Sequence, residues 1–123
     1  MNQILLYIAS AITGLWGVAH LFATGGVVAG FGNITTDNRR IITMEWIVEG
    51  VALISTGGFV SVATALEHET ALSSGVYAVA IGTLIVLAVV SVFTGFRVAF
   101  LPFRLCPFIF GVSAALIAWG AWL

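Results

Sequence analysis

Apolar residues run along this chain in four long, nearly unbroken stretches, separated by short segments rich in glycine or polar residues. A helix rises 1.5 Å per residue, so a hydrocarbon core of about 30 Å takes about 20 apolar residues to cross. The stretches predict spanning helices over approximately 4–22, 40–66, 72–96 and 106–123. Many of the residues are Val and Ile, but the runs are continuous rather than alternating. They are also longer than the ~10-residue strands of a membrane barrel. The fold class expected is all-α: a four-helix transmembrane bundle of up-down topology, forming a single integral membrane domain over 1–123.

The connections carry their own signals. Ala23 to Asn38 holds Gly25, Gly26, Gly30 and Gly32 and then Asn33-Ile34-Thr35-Thr36-Asp37-Asn38. This reads as a connection with a short turn of helix around Val27-Val28, resting on the bundle through Phe31. Thr36, Asp37 or Asn38 is expected to cap the second helix. Glu67-His68-Glu69-Thr70 forms a polar tip between helices two and three. Pro107 has no N–H and suits a first helical turn, so the fourth helix is expected to begin near Cys106 or Pro107. Trp119 and Trp122 near its end suit an aromatic belt at the headgroups.

Composition supports the membrane reading. Only 7% of the 123 residues are charged, against about 25% in a soluble domain, too few to cover a water-facing surface. There is no lysine and the formal net charge is −1, so a nucleic-acid partner is not expected. The single cysteine, Cys106, excludes an internal disulfide. Met1-Asn2-Gln3 lacks the basic start of a signal peptide, and no lipidation motif is evident. The four arginines fall in the first connection (Arg39, Arg40) and the third (Arg97, Arg104). By the positive-inside rule these connections are cytoplasmic. The expected location is the inner (plasma) membrane, multi-pass, with both termini and the Glu67-His68-Glu69 turn outside the cytoplasm.

That topology gathers His20, Glu45, Glu49, Arg97, Arg104 and Cys106 into one half of the bundle. Ionisable groups inside a membrane usually face a bundle interior or a wet cavity. Glu45 and Glu49 are one turn apart and share a helical face. Two readings stand. In one, these residues line a polar pocket, with His and Glu as ligands or proton carriers and Arg as anion binders. In the other, Glu45 or Glu49 neutralises Arg97 or Arg104 and His20 hydrogen-bonds a carboxylate, which fixes helix order. A metal site would have to use His20, Glu45 and Glu49, without a second internal histidine or a Glu-x-x-His pair. Haem is disfavoured for lack of that second histidine, and the residues name no cofactor. Cys106 reads as a buried, inert thiol, with a reactive one beside Arg104 as the alternative. Asn33-Ile34-Thr35 matches a glycosylation sequon on the cytoplasmic side, where it is discounted.

Two stretches carry a family resemblance. Gly14-Leu15-Trp16-Gly17-Val18-Ala19-His20 and Met44-Glu45-Trp46-Ile47-Val48-Glu49-Gly50 resemble small four-helix bacterial membrane proteins and, more distantly, the DoxX-like group. That group has a glycine-rich first helix and a Glu-x-x-Gly-type start to the second. The resemblance implies a link to quinone-dependent oxidation of sulfur compounds. The chain lacks the thiols for that chemistry, and no catalytic residue is carried over.

Three functions follow, in this order. The first is a binding or accessory membrane protein, a homo-oligomer or a subunit of a larger membrane complex. The second is a small membrane enzyme or redox protein using His20, Glu45 and Glu49. The third is a transporter or channel, for which the outer halves of the helices offer only Ser and Thr. The topology is directly testable. A reporter active only in the cytoplasm, fused after Leu123, is expected to be silent; a bright signal would overturn the assignment.

Overall fold

The computed structural model describes all 123 residues. It is a bundle of four helices: α1 (Gln3–Ala29), α2 (Thr36–Glu67), α3 (Ala71–Phe93) and α4 (Leu101–Trp122). A short 3-10 turn, Gly95–Arg97, lies between α3 and α4, and there is no strand. Each helix is long and apolar enough to cross a membrane. Large apolar side chains point outward along the bundle: Phe22 is 88% exposed, Leu72 80% and Leu66 77%. In water that surface would be prohibitive; in lipid it is the expected exterior.

The helix ends depart from the sequence expectation. α1 runs to Ala29 rather than to about residue 22, and the connection shrinks to 30–35. Gly25 and Gly26 weaken a helix in water, where glycine costs about 1 kcal/mol relative to alanine. In a bilayer the backbone has no water to turn to, so an apolar segment keeps its helical hydrogen bonds despite glycine. The chain turns at Gly32, whose φ of +68° is in the left-handed region that glycine tolerates. The cap of α2 is Thr35 rather than a later residue; its hydroxyl accepts from the Asn38 N–H at 3.2 Å. α4 begins at Leu101, with Pro102 in its first turn and Pro107 inside it. Pro107 offers no N–H to the Phe103 carbonyl one turn back. Gly95 of the preceding connection packs onto that carbonyl, 3.2 Å from where a Cβ would stand. α3 ends at Phe93, before Gly95 rather than after it.

Sequential helices are antiparallel neighbours, and α4 closes the ring against α1. The closest approach is between α1 and α2. A Cβ on Gly17 would stand 2.6 Å from the Gly50 carbonyl, and one on Gly57 would stand 2.6 Å from the Ser10 carbonyl. Ser10 and Gly17 are two turns apart, as are Gly50 and Gly57, so both contacts fit one register. Ser10 reinforces it by donating to the Gly57 carbonyl and meeting Ser61. α4 is fixed at its end by Gly120, whose carbonyl accepts from the Asn2 N–H at 2.7 Å. The core between the helices holds Leu6, Leu53, Val60, Tyr77, Leu84, Phe110 and Ile117. The Tyr77 hydroxyl meets Thr64 at 3.0 Å, tying α3 to α2.

The glycine contacts are testable. Gly17→Ala is expected to destabilise the bundle by about 1–3 kcal/mol, because the backbones must separate. Gly58→Ala, where a Cβ meets nothing within 4 Å, is expected to be neutral or slightly stabilising. Thermal unfolding in detergent micelles distinguishes the two; equal effects would contradict the close approach.

Candidate functional site

The site is built one turn beyond the Gly17–Gly50 contact, toward the arginine-bearing end. His20 lies there, buried, about two and a half turns inside the end of α1. Its imidazole is held on several sides. Nδ1 is 2.9 Å from the Trp16 carbonyl; a carbonyl only accepts, so Nδ1 carries the proton. One face stacks on Trp46, with centroids 4.7 Å apart and 26° between planes. Trp16 meets the ring edge-on at 6.1 Å. The backbone is fixed as well: the His20 carbonyl accepts from the Trp46 indole N–H at 2.6 Å and from the Thr24 hydroxyl at 3.0 Å.

The remaining nitrogen, Nε2, faces Glu49 Oε1 at 3.5 Å. Because Nδ1 already donates, this contact is attractive only when a proton sits on Nε2 or on the carboxyl group. Without one, two lone pairs would face each other. The contact joins a buried imidazole to a carboxylate whose side chain is partly exposed.

Beside this assembly is a cavity of about 260 Å³, lined by Trp16, Ala19, His20, Ala23, Trp46, Phe100, Pro102, Phe103, Leu105 and Cys106. Ala19 and Ala23 leave room on α1, and the far wall comes from the start of α4. Aromatic rings continue around it: Phe103 packs on Trp46 at 5.3 Å, and Phe100 on Phe103 at 5.7 Å. Polar atoms are few. The Cys106 thiol donates to the Pro102 carbonyl at 3.6 Å. The Trp16 indole N–H is buried with no partner, a state that costs about 1–3 kcal/mol. Cys106 is near it on the same wall but does not reach hydrogen-bonding geometry.

The structure brings together His20, Glu49 and Cys106 and leaves out the other expected residues. Glu45 is exposed on α2 and makes no ion pair. Arg97 is exposed in the 3-10 turn. Arg104 is exposed and donates to the Val98 carbonyl at 2.9 Å. The expected Glu–Arg network is absent: the only carboxylate contacts of ion-pair length involve His20 and His68. α2 and α4 meet here through Trp46 and Phe103, while Glu45 and Arg104, the residues next to them in sequence, are both exposed and unpaired with each other. His20, Glu45 and Glu49 do not converge into a group able to hold a metal ion.

Phe100 and Phe103 were not singled out in the sequence, and Trp16 and Trp46 stood there only within the motifs around His20 and Glu49, not as walls of a site. A partial signal existed. Trp16 is four residues before His20 and Trp46 three before Glu49, spacings that put each tryptophan on the same helical face as its polar neighbour.

Fold and site together define a class: a four-helix bundle of membrane-spanning dimensions with an aromatic cavity near its arginine-bearing end. Compared with known proteins, the chain matches no family model, no curated protein and no solved structure.

The role of Trp46 can be measured. Trp46→Phe keeps a ring against His20 but removes the N–H, and is expected to cost about 0.5–1.5 kcal/mol. Trp46→Ala removes the ring as well and is expected to cost about 3–5 kcal/mol. Chemical unfolding in micelles reads both; equal losses would show that stacking contributes nothing.

Proposed function

We propose that this protein is a small-molecule-binding protein of the plasma membrane, with its arginine-bearing end in the cytoplasm and both termini outside. The cavity takes a flat, largely apolar molecule carrying a hydrogen-bond acceptor such as a carbonyl. The observation that carries this reading is an aromatic cavity lined by Trp16, Trp46, Phe100 and Phe103 together with His20, beside which the Trp16 indole N–H is buried and unpartnered. Apolar pockets with a few fixed polar groups are the common form of ligand sites. A ligand carbonyl would remove the cost of the unpaired donor, while Trp46, Phe100 and Phe103 offer it flat surfaces. His20 stands on the same wall as a second polar group.

A second reading makes the protein a redox partner working with a quinone, as the DoxX-like resemblance implies. The His20–Glu49 contact favours it. A quinone that accepts two electrons from a redox partner must also take two protons to leave as the quinol, and His20, on the cavity wall beside Glu49, is a titratable group at that position.

The probe for the first reading is 2,3-dimethyl-1,4-naphthoquinone, which has acceptors and a blocked ring that does not alkylate Cys106. 2,3-Dimethylnaphthalene has a similar shape without the acceptors. In nanodiscs of the Trp119→Phe/Trp122→Phe protein, only Trp16 and Trp46 report by fluorescence. Saturable quenching by the quinone is expected, with affinity falling roughly 3–10-fold in Trp16→Phe, the equivalent of one net hydrogen bond. The hydrocarbon is expected to bind more weakly by a similar factor. Equal binding of both compounds, unaffected by Trp16→Phe, would sink the proposal.

A further inference from the structure

A different feature marks the outer face of α2 at the same end. Arg39, Arg40, Thr43, Met44, Ile47 and Val48 line a shallow depression of about 490 Å³. It has a charged rim and an apolar floor. Arg39 donates once, to the Gly32 carbonyl at 3.2 Å; Arg40 makes no side-chain hydrogen bond and no ion pair within the chain. A guanidinium has five N–H donors and no acceptor, so most of the donors on this rim are open.

The charge around it is one-sided. The arginine-bearing half carries all four arginines against three acids, Asp37, Glu45 and Glu49; Asp37 and Glu45 form no ion pair, and Glu49 is turned to His20. The floor is exposed: Met44 by 55%, Ile47 by 42% and Val48 by 55%. From Arg40 to Val48 the helix advances two turns, about 12 Å. That places the guanidinium groups at headgroup depth when Met44, Ile47 and Val48 lie against acyl carbon.

The geometry points to a binding site for one anionic phospholipid: its phosphate on Arg39 and Arg40, and the upper part of an acyl chain along Met44, Ile47 and Val48. Guanidinium groups pair with phosphate through parallel N–H bonds, and juxtamembrane arginines gain further from an anionic leaflet. The apolar floor continuing from the charged rim is what a lipid uses and a free phosphate does not. This site is separate from the aromatic cavity and does not depend on how that cavity is used.

The test is native mass spectrometry of the full chain in detergent, titrated with phosphatidylglycerol or with phosphatidylcholine of the same acyl chains. Phosphatidylglycerol is expected to bind preferentially. Arg40→Gln, which leaves the Arg39–Gly32 bond in place, is expected to weaken that binding, and Arg39→Gln/Arg40→Gln to weaken it roughly 10–30-fold. Arg97→Gln/Arg104→Gln should change it little. Met44→Gln/Ile47→Gln should also weaken lipid binding, with the arginines intact. Three outcomes would overturn the site: equal binding of the two lipids, equal losses in the two arginine pairs, or inorganic phosphate competing as effectively as the lipid. The last would leave an anion site without the acyl contact.

Discussion

The contact between α1 and α2 at Gly17, Gly50 and Gly57 sets the rest of the structure. In a bilayer two apolar helices gain nothing from leaving water, so they must be held by packing and by hydrogen bonds between them. Glycine at the crossing lets the backbones approach until a Cβ has no space. Ser10, one repeat away, then reaches the other helix with its hydroxyl. A helix repeats its face every two turns, so these contacts admit one register. One turn further along α1 is His20; along α2, Glu49 directly precedes Gly50 and Trp46 is one turn back. The stacking of Trp46 on His20, the Trp46 bond to the His20 carbonyl and the Glu49 contact are all consequences of that register. A shift of one residue would rotate every one of them away.

This also explains why the ionisable groups form a pair rather than a network. A charge buried in a low-dielectric interior costs several kcal/mol unless a partner and further hydrogen bonds offset it. The α1–α2 register supplies Glu49 to His20, and the Glu49 side chain stays partly exposed while the imidazole is buried. No such register brings Arg97 or Arg104 to a carboxylate; each lies exposed on the α3–α4 side, where long side chains can reach water. Glu45 shares the face of Glu49 in an ideal helix, yet one turn suffices to carry it past the crossing and out of the contact.

Much of the fold was legible because a bilayer imposes a length and an apolar composition that the chain displays openly. The four helices and the clustering of arginine are of this kind. What was not legible depended on local alternatives that the bilayer removes or on contacts between helices. Gly25 and Gly26 read as a break by their behaviour in water, where the backbone can bond solvent; in lipid the helix passes through them to Ala29. Pro107 read as a start because it lacks an N–H, but Pro102, five residues earlier, fills that role. Of the candidate site, His20 and Glu49 stood out because polarity is rare in such a chain. Trp16, Trp46, Phe100 and Phe103 did not, because an aromatic residue in an apolar chain looks the same whether it faces lipid, core or cavity. The face becomes visible only once the helices are paired.

The two ends of the bundle differ in how completely their polar groups are used. At the end bearing the termini, Asn2 caps α1 and bonds Gly120, Gln3 bonds His68 at 2.8 Å, Thr70 and Ser73 cap each other, and Thr64 meets Tyr77. Midway along α1 the Trp16 N–H has no partner; at the other end Pro107 gives the Phe103 carbonyl no donor, and the Arg40 side chain bonds nothing within the chain. Ser113, buried in the middle of α4, is the one comparable orphan elsewhere. Structural bundles close such bonds among themselves, since each open one weakens the fold. The arginine-bearing half is the one with hydrogen-bonding capacity left open within the chain, the Arg40 guanidinium and the Phe103 carbonyl among it. The cavity is set by helix register, since its wall is drawn from α1, α2 and the start of α4; the arginine rim lies on one helix and is independent of that register.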